Sequence, residues 1–275
     1  MFDILRRAFE NEGKNTVDGA TKLIKYYLFQ SHIDFSQYQK VINQKNGLWK
    51  VEKLNELQKV ERVNHFDKNF NEDRVTEFIY DNDQNLLEQQ EFQNFYQESL
   101  KKTVKKVFTY EQELVKEIKV FDFYRYKTSD SYAGRQIYEY DNNKRLIREE
   151  YRNSNDKVTE IRIFSNVNQY ESEELRLSAR ESIKEKHVHV IDDRGLEVER
   201  RINLNPKSKD ENSFPTIYKY SFNDKGDKIR TLWALNGVVK EDFIFDYKYS
   251  DKDWIYRVTT NLGKVVATEF RKMEI

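Results

Sequence analysis

His187 and His189 stand two residues apart in Lys186-His187-Val188-His189-Val190. In an extended strand this spacing puts both imidazoles on one face. Such a pair can hold a divalent metal ion, with Asp192 or Asp193 supplying oxygen. The chain contains no cysteine, and no third histidine follows at a metal-site spacing. On its own the pair reads as two polar side chains on the wet face of a strand, so no metal and no cofactor is assigned. His32 and His65 are isolated. Phosphate-loop, dinucleotide, nucleophile-elbow and H-E-x-x-H motifs are absent. Nothing in the spacing singles out a pair among the 48 Asp and Glu residues. The recurring Asp81, Asp141, Asp192 and Asn223 lack the dense acid run of a calcium loop and read as turn formers. No catalytic residue is assigned, and the chain reads as a non-enzyme.

The elements that would position such residues show up as an internal repeat. An aromatic or Ile is followed by Asp, Asn or Ser, two mostly polar residues and a turn residue, and then apolar/charged alternation resumes. The repeat anchors are Tyr80, Tyr140, Ile191, Phe222 and Tyr249, with weaker copies at Tyr110 and Phe164. Their mean spacing is about 28 residues. Before the anchors, Phe78 and Tyr80, Tyr138 and Tyr140, and Tyr218 and Tyr220 alternate with polar residues, the period of a half-buried strand. The Asp or Asn bonds its own backbone, and Gly195 and Gly226 accept positive φ, so the chain reverses. Each unit is therefore a β-hairpin plus a connector.

Tyr138-Glu139-Tyr140-Asp141-Asn142-Asn143-Lys144-Arg145-Leu146 resembles the YD repeat of RHS-type proteins, whose core is Tyr-x-Tyr-Asp-x-x-Gly-Arg-Leu. Lys144 stands where that family has Gly, while Gly195 and Gly226 keep it. The likeness spans roughly residues 75–260. It implies long antiparallel β-sheets that wind into spirals or shells, in some members around a toxin.

Composition fits this reading. The 275 residues include 39 Phe, Tyr and Trp (18, 18 and 3), only 8 Gly and 2 Pro, and 48 basic against 48 acidic residues. A net charge of zero lacks the basic footprint of a general nucleic-acid binder. The aromatics are expected on one sheet face and most charges on the opposite face, in cross-strand pairs. Residues 1–72 show no clear copy of the repeat. Phe2, Leu5, Ala8 and Phe9 share a helical face, and Leu23, Ile24, Tyr27 and Leu28 keep helical spacing over Thr21 to Phe29. Strands are favoured after Gly47, with a turn near Asn55-Glu56. The segment from Asn203 to Phe214 reads as an exposed loop.

The expected fold is mainly β: repeated antiparallel β-hairpins forming a long twisted, curled sheet, with short N-terminal helices. Residues 1–47 form a helical cap and 48–275 the hairpin domain. No apolar stretch is long enough to span a bilayer and no signal peptide is seen, which suggests a cytoplasmic protein. The leading function is non-catalytic binding of another protein, such as an immunity or antitoxin-like protein that occludes a toxin. Trp49, Trp233 and Trp254 are the candidate partner contacts. The alternatives are a carrier with an apolar or sugar ligand on an aromatic-lined sheet, and a metal- or carboxylate-dependent hydrolase.

Overall fold

The computed structural model describes residues 22–44, 47–94, 99–124, 131–204, 206, 214–251 and 253–274. β1 (Leu23–Phe29) leads through a 3-10 turn at Phe35–Gln37 and the short α1 (Tyr38–Ile42) into β2 (Leu48–Leu54) and β3 (Val60–Phe66). There follow β4 (Glu72–Tyr80), β5 (Leu86–Asn94), β6 (Leu100–Glu111), β7 (Leu114–Asp122), β8 (Tyr132–Tyr140) and β9 (Leu146–Asn153). Next are β10 (Val158–Asn166), β11 (Glu171–Ser178), β12 (Ile183–Ile191), β13 (Glu197–Asn203) and β14 (Thr216–Phe222). The last are β15 (Lys228–Leu235), β16 (Val238–Ser250), β17 (Asp253–Asn261) and β18 (Lys264–Glu274). All 18 strands lie in one sheet. Each pairs antiparallel with its sequence neighbours, and β1 pairs with both β2 and β18. The curled sheet thus closes into an up-and-down barrel, and closure removes the unpaired strand edges.

The periodicity has a finer cause than one hairpin and a connector per unit. A five-residue turn recurs at both ends of the barrel. Its first side chain accepts hydrogen bonds from the backbone N–H groups two and four residues on, and its fourth residue is left-handed. Asp141 does this with Asn143 and Arg145, with Lys144 at φ 61°. Asp192 and Asn223 do it with Gly195 and Gly226 in the left-handed position. Asn55 and Asp67 form the same turn, with Gln58 and Phe70 at positive φ. The repeat therefore reaches into residues 1–72, where the sequence showed no clear copy. Phe70 and Gln58 hide it, because neither looks like a left-handed residue. At Gln112–Glu113 the anchor Tyr110 is followed instead by a two-residue turn with both residues at positive φ.

Tyrosines tie the ends of strands together. Tyr80, Tyr110, Tyr140 and Tyr247 donate their hydroxyls to the carbonyls of Val60, Leu86, Val115 and Lys228. Except in β16, the donor sits in the last two positions of its strand. Every acceptor lies at or next to the start of the preceding strand.

Leu23–Phe29 is a strand, not the second helix of a cap. Ile24 and Tyr26 are buried on one face and Tyr27 on the other, so the segment is apolar nearly throughout and its spacing suits either element. The first strand of the barrel thus falls within residues 1–47. The helical pattern at residues 2–9 lies outside the described residues, as does most of the loop from 203 to 214. The strands predicted after Gly47 are β2 and β3.

The best-buried part of the wall surrounds β1. On one face Val41 and Ile42 of α1 cover Tyr27, Tyr256, Val258 and Phe270, with Phe35 and Tyr38 packed alongside. Asp34 caps the 3-10 turn by accepting from the Ser36 N–H. On the other face Ile24, Tyr26, Trp49, Leu54 and Trp254 pack together. Each such side chain contributes roughly 1.5–3 kcal/mol on burial. The guanidinium of Arg257 lies 4.9 Å from the centre of the Trp254 ring, and that of Arg271 lies 5.4 Å from it.

Cross-strand register separates the two faces of the wall. The aromatic face carries Phe78, Phe108, Tyr138, Tyr151, Tyr218 and Phe243. The second face carries ion pairs such as Arg62–Glu77, Lys105–Glu88, Arg135–Glu117 and Arg230–Asp242. The expected division is incomplete. From β9 to β13 the aromatic face also holds Glu149, Arg162, Glu174, Arg176, His187, His189 and Arg200. Runs such as Glu149-Glu150 and Arg200-Arg201 put one charge on each face, because the side-chain period is two.

Candidate functional site

The histidine pair sits within this polar ribbon. In β12, Glu185, His187 and His189 alternate with Lys186 and Val188, so all three point to the aromatic face. Strand β11 sets Glu174 directly opposite His187, and β13 sets Arg200 opposite His189. The two imidazole rings are stacked, with centroids 6.2 Å apart.

Every polar group here but one is held by a neighbour. Glu174 offers Oε1 to Arg176 Nε at 2.7 Å and Oε2 to His189 Nε2 at 3.4 Å. The second nitrogen of His189, Nδ1, faces Glu197 Oε2 at 3.3 Å. Glu197 is also held by Arg200 at 2.7 Å. His187 bonds Glu185 through Nε2 at 2.8 Å, and Glu185 is steadied by Arg176. A carboxylate only accepts, so His187 Nε2 carries the hydrogen and Nδ1 the lone pair. That Nδ1 is buried and has no hydrogen-bond partner.

The electrostatics follow from these contacts. The carboxylates on both sides of His189 outweigh its burial and raise its pKa to about 9, so at neutral pH it is an imidazolium shared by Glu174 and Glu197. Burial opposes ionisation of those two acids, yet the hydrogen bonds from His189 and from Arg176 or Arg200 hold both at about 2. His187 is pushed below the usual histidine value, chiefly by burial, which Glu185 offsets only in part.

Asp192, which reads as a turn former and, with Asp193, as an oxygen donor should the histidines hold a metal, caps the β12–β13 turn. The acid that joins them is Glu174, from the neighbouring strand. The Glu-x-His-x-His alternation of β12 is readable in the sequence, whereas Glu174 depends on strand register.

Of the three tryptophans, Trp49 and Trp254 are buried in one cluster with Tyr26 between them. Trp233 is half-buried, stacked on Tyr218 at 6.3 Å. The anchors Tyr80 and Tyr140 hold neighbouring strands by their hydroxyls, and Tyr249 bonds Asp227 and Asn223 across β15. Beside Tyr249 an open cleft of about 420 Å³ is lined by Phe245, Tyr247, Ile229, Ser221, Asn223 and Asp246, among others.

No family model matches the chain, and no curated protein matches it. Among solved structures, a porin-like protein from Bacteroides uniformis is similar at a TM-score of 0.40 and 7% identity, over 92% of this chain and 98% of that one. A porin-like protein from Bacteroides vulgatus is similar at a TM-score of 0.34 and 11% identity, over 72% and 93%. The Photorhabdus luminescens Tc holotoxin pore (mutation TccC3-D651A) is similar at a TM-score of 0.23 and 8% identity, over 87% of this chain and 17% of that one. Likenesses this low carry no argument, so the fold rests on the strand pairing itself. Among the described residues no helix is long and apolar enough to cross a membrane.

Proposed function

We propose that the chain is a non-catalytic binding protein that recognises another protein through the wall of its barrel, as a cytoplasmic immunity protein occludes a toxin. The observation that carries this reading is the setting of three exposed isoleucines on the second face. Ile163 lies directly opposite Arg148, and Ile244 directly opposite Arg230. Ile79 lies two residues beyond Glu77 on the same strand face. Each of these charged neighbours is already ion-paired: Arg148 with Glu150, Arg230 with Asp242 and Glu77 with Arg62. The three lie on β4, β10 and β16, six strands apart round the barrel, so each is a separate apolar point framed by pre-ordered charges, and side chains fixed in this way lower the ordering cost of association at any one of them.

The state of the acids supports a non-catalytic role. Glu174 and Glu197 are held ionised by their partners, whereas a general acid needs a proton near working pH. Charges on both faces in mid-strand, as at Lys105-Lys106, speak for water on each side rather than a lipid-facing apolar band. The turn-and-tyrosine repeat supports placing the chain with YD-type repeats, and that resemblance is what suggests a toxin as partner.

The test is capture from native lysate of the source cell with wild type and with Ile163→Asp/Ile244→Asp. One dominant stoichiometric partner, lost in the variant at unchanged melting temperature, is expected. No such partner, or equal capture by the variant, overturns the reading. The 420 Å³ cleft beside Tyr247 and Tyr249 favours a second reading, a carrier of a small ligand. A small molecule retained in native mass spectrometry of the purified protein would favour that reading instead.

A further inference from the structure

The partner-binding reading leaves the β11–β12 cluster unused. One ligand atom from each of Glu174, His187 and His189 lies within 4.8 Å of the other two. Glu174 and His187 are buried. Their donors come from adjacent strands in fixed register, so the set is held by the wall and not by a loop.

We propose that Glu174, His187 and His189 bind one divalent transition-metal ion, with zinc as the reference ion. Two imidazoles and one carboxylate suit zinc, cobalt, nickel or copper, and not magnesium or calcium, which prefer oxygen donors. Three protein donors leave a fourth position for water or an incoming ligand.

Two observations beyond proximity point the same way. The first is His187 Nδ1, a lone pair buried without a hydrogen-bond partner. Leaving a buried acceptor unmatched is costly unless something occupies the site. The second is the shell behind the histidines. Glu185 holds His187 at Nε2, and Glu197 faces His189 at Nδ1. A carboxylate behind a histidine fixes the ring and raises its donor strength, as in metal centres. The neighbouring cations do not stand in the way, because Arg176 takes Oε1 of Glu174 and Arg200 takes Glu197. That leaves Oε2 of Glu174 facing His189 across 3.4 Å. The ion takes that place, and any proton on His189 Nε2 leaves to solvent as it binds.

The experiment is zinc titration of the chelator-stripped full chain against a chromophoric chelator at neutral pH. One equivalent is expected to bind to wild type and to His32→Ala, and none at that affinity to His187→Ala/His189→Ala. Because His187 is buried, a gentler variant guards against a folding artefact. Glu197→Gln keeps all three donors and should weaken zinc by about 10–100-fold. Cobalt should give visible d–d bands in wild type that His189→Gln loses. Failure of wild type to bind one equivalent, or equal binding by the double variant, overturns the proposal. Neither result touches partner capture, which concerns the other face of the wall.

Discussion

The hydroxyl of Tyr140, the last residue of β8, donates to the carbonyl of Val115 near the start of β7 at 2.9 Å. Tyr80 and Tyr110 make the equivalent bond to Val60 and Leu86. Each anchor thus fixes where its hairpin ends as well as packing against it. Tyr140→Phe keeps the ring and removes one bond, so it should cost about 0.5–1.5 kcal/mol in urea unfolding. A loss below the error of that measurement would show that the hydroxyl is equally satisfied by water.

Lys144 occupies a left-handed position, φ 61°, that Gly195 and Gly226 fill in the equivalent turns. A Cβ at either glycine would meet nothing within 4 Å, so backbone conformation alone sets the preference. Lys144→Gly should stabilise by up to about 1 kcal/mol, and Gly195→Ala should destabilise by about 1 kcal/mol. Thermal melts of the two variants should move in opposite directions.

Acid sensitivity should reside partly in the turns. Hydrogen bonds from the backbone N–H groups of Asn85 and Arg145 are the leading cause that lowers the pKa of Asp81 and Asp141. Burial opposes ionisation of Asp192, yet its pKa is lowered too, because its carboxylate accepts from the Leu196 N–H and from the guanidinium and N–H of Arg194. The folded pKa lies below the unfolded one, so the stabilisation is present above the unfolded value of about 3.8. It is lost as pH falls through the folded value. Asn fills the same place at Asn55, Asn153 and Asn223, so the triple Asp→Asn variant should fold normally at pH 7. Its melting temperature should fall less than that of wild type between pH 5 and pH 2.5.

Arg257 and Glu269 form a fully buried pair at 2.8 Å. Glu269→Ala removes the buried carboxylate that faces the Arg257 guanidinium and should cost about 3–5 kcal/mol. Arg257→Met/Glu269→Leu removes both charges and should cost far less, or nothing. Chemical denaturation of the two variants separates the value of the pair from the penalty of breaking it.

Much of this architecture was legible in local chemistry. Strand alternation before Tyr80 and Tyr140 and the Asp or Asn at each turn announce the hairpins, because period and turn type act over a few residues. Closure was not legible: it depends on Leu23–Phe29, whose apolar residues suit a helix or a doubly buried strand equally. The turn at Asn55 was legible as a turn but not as a copy of the repeat, because Gln58 fills its left-handed position, and the Asp67 turn, with Phe70 in that place, was missed for want of a glycine. At the histidine site, Glu185 could be read from its spacing with His187. Glu174 could not, since it reaches the imidazoles only through the β11–β12 register.

The pairing of β1 with β18 gives the barrel an uneven folding problem. Seventeen of its neighbouring strand pairs join consecutive strands and can form hairpin by hairpin. The last pair joins residues such as Lys25 and Glu274, 249 positions apart, and bears the largest single loop-closure cost in the barrel. Until that seam zips, the protein is an open sheet with two bare edges, each a template for another strand. The dense packing on both faces of β1 therefore lies where the chain needs it most, at the step separating a sealed barrel from an aggregating sheet.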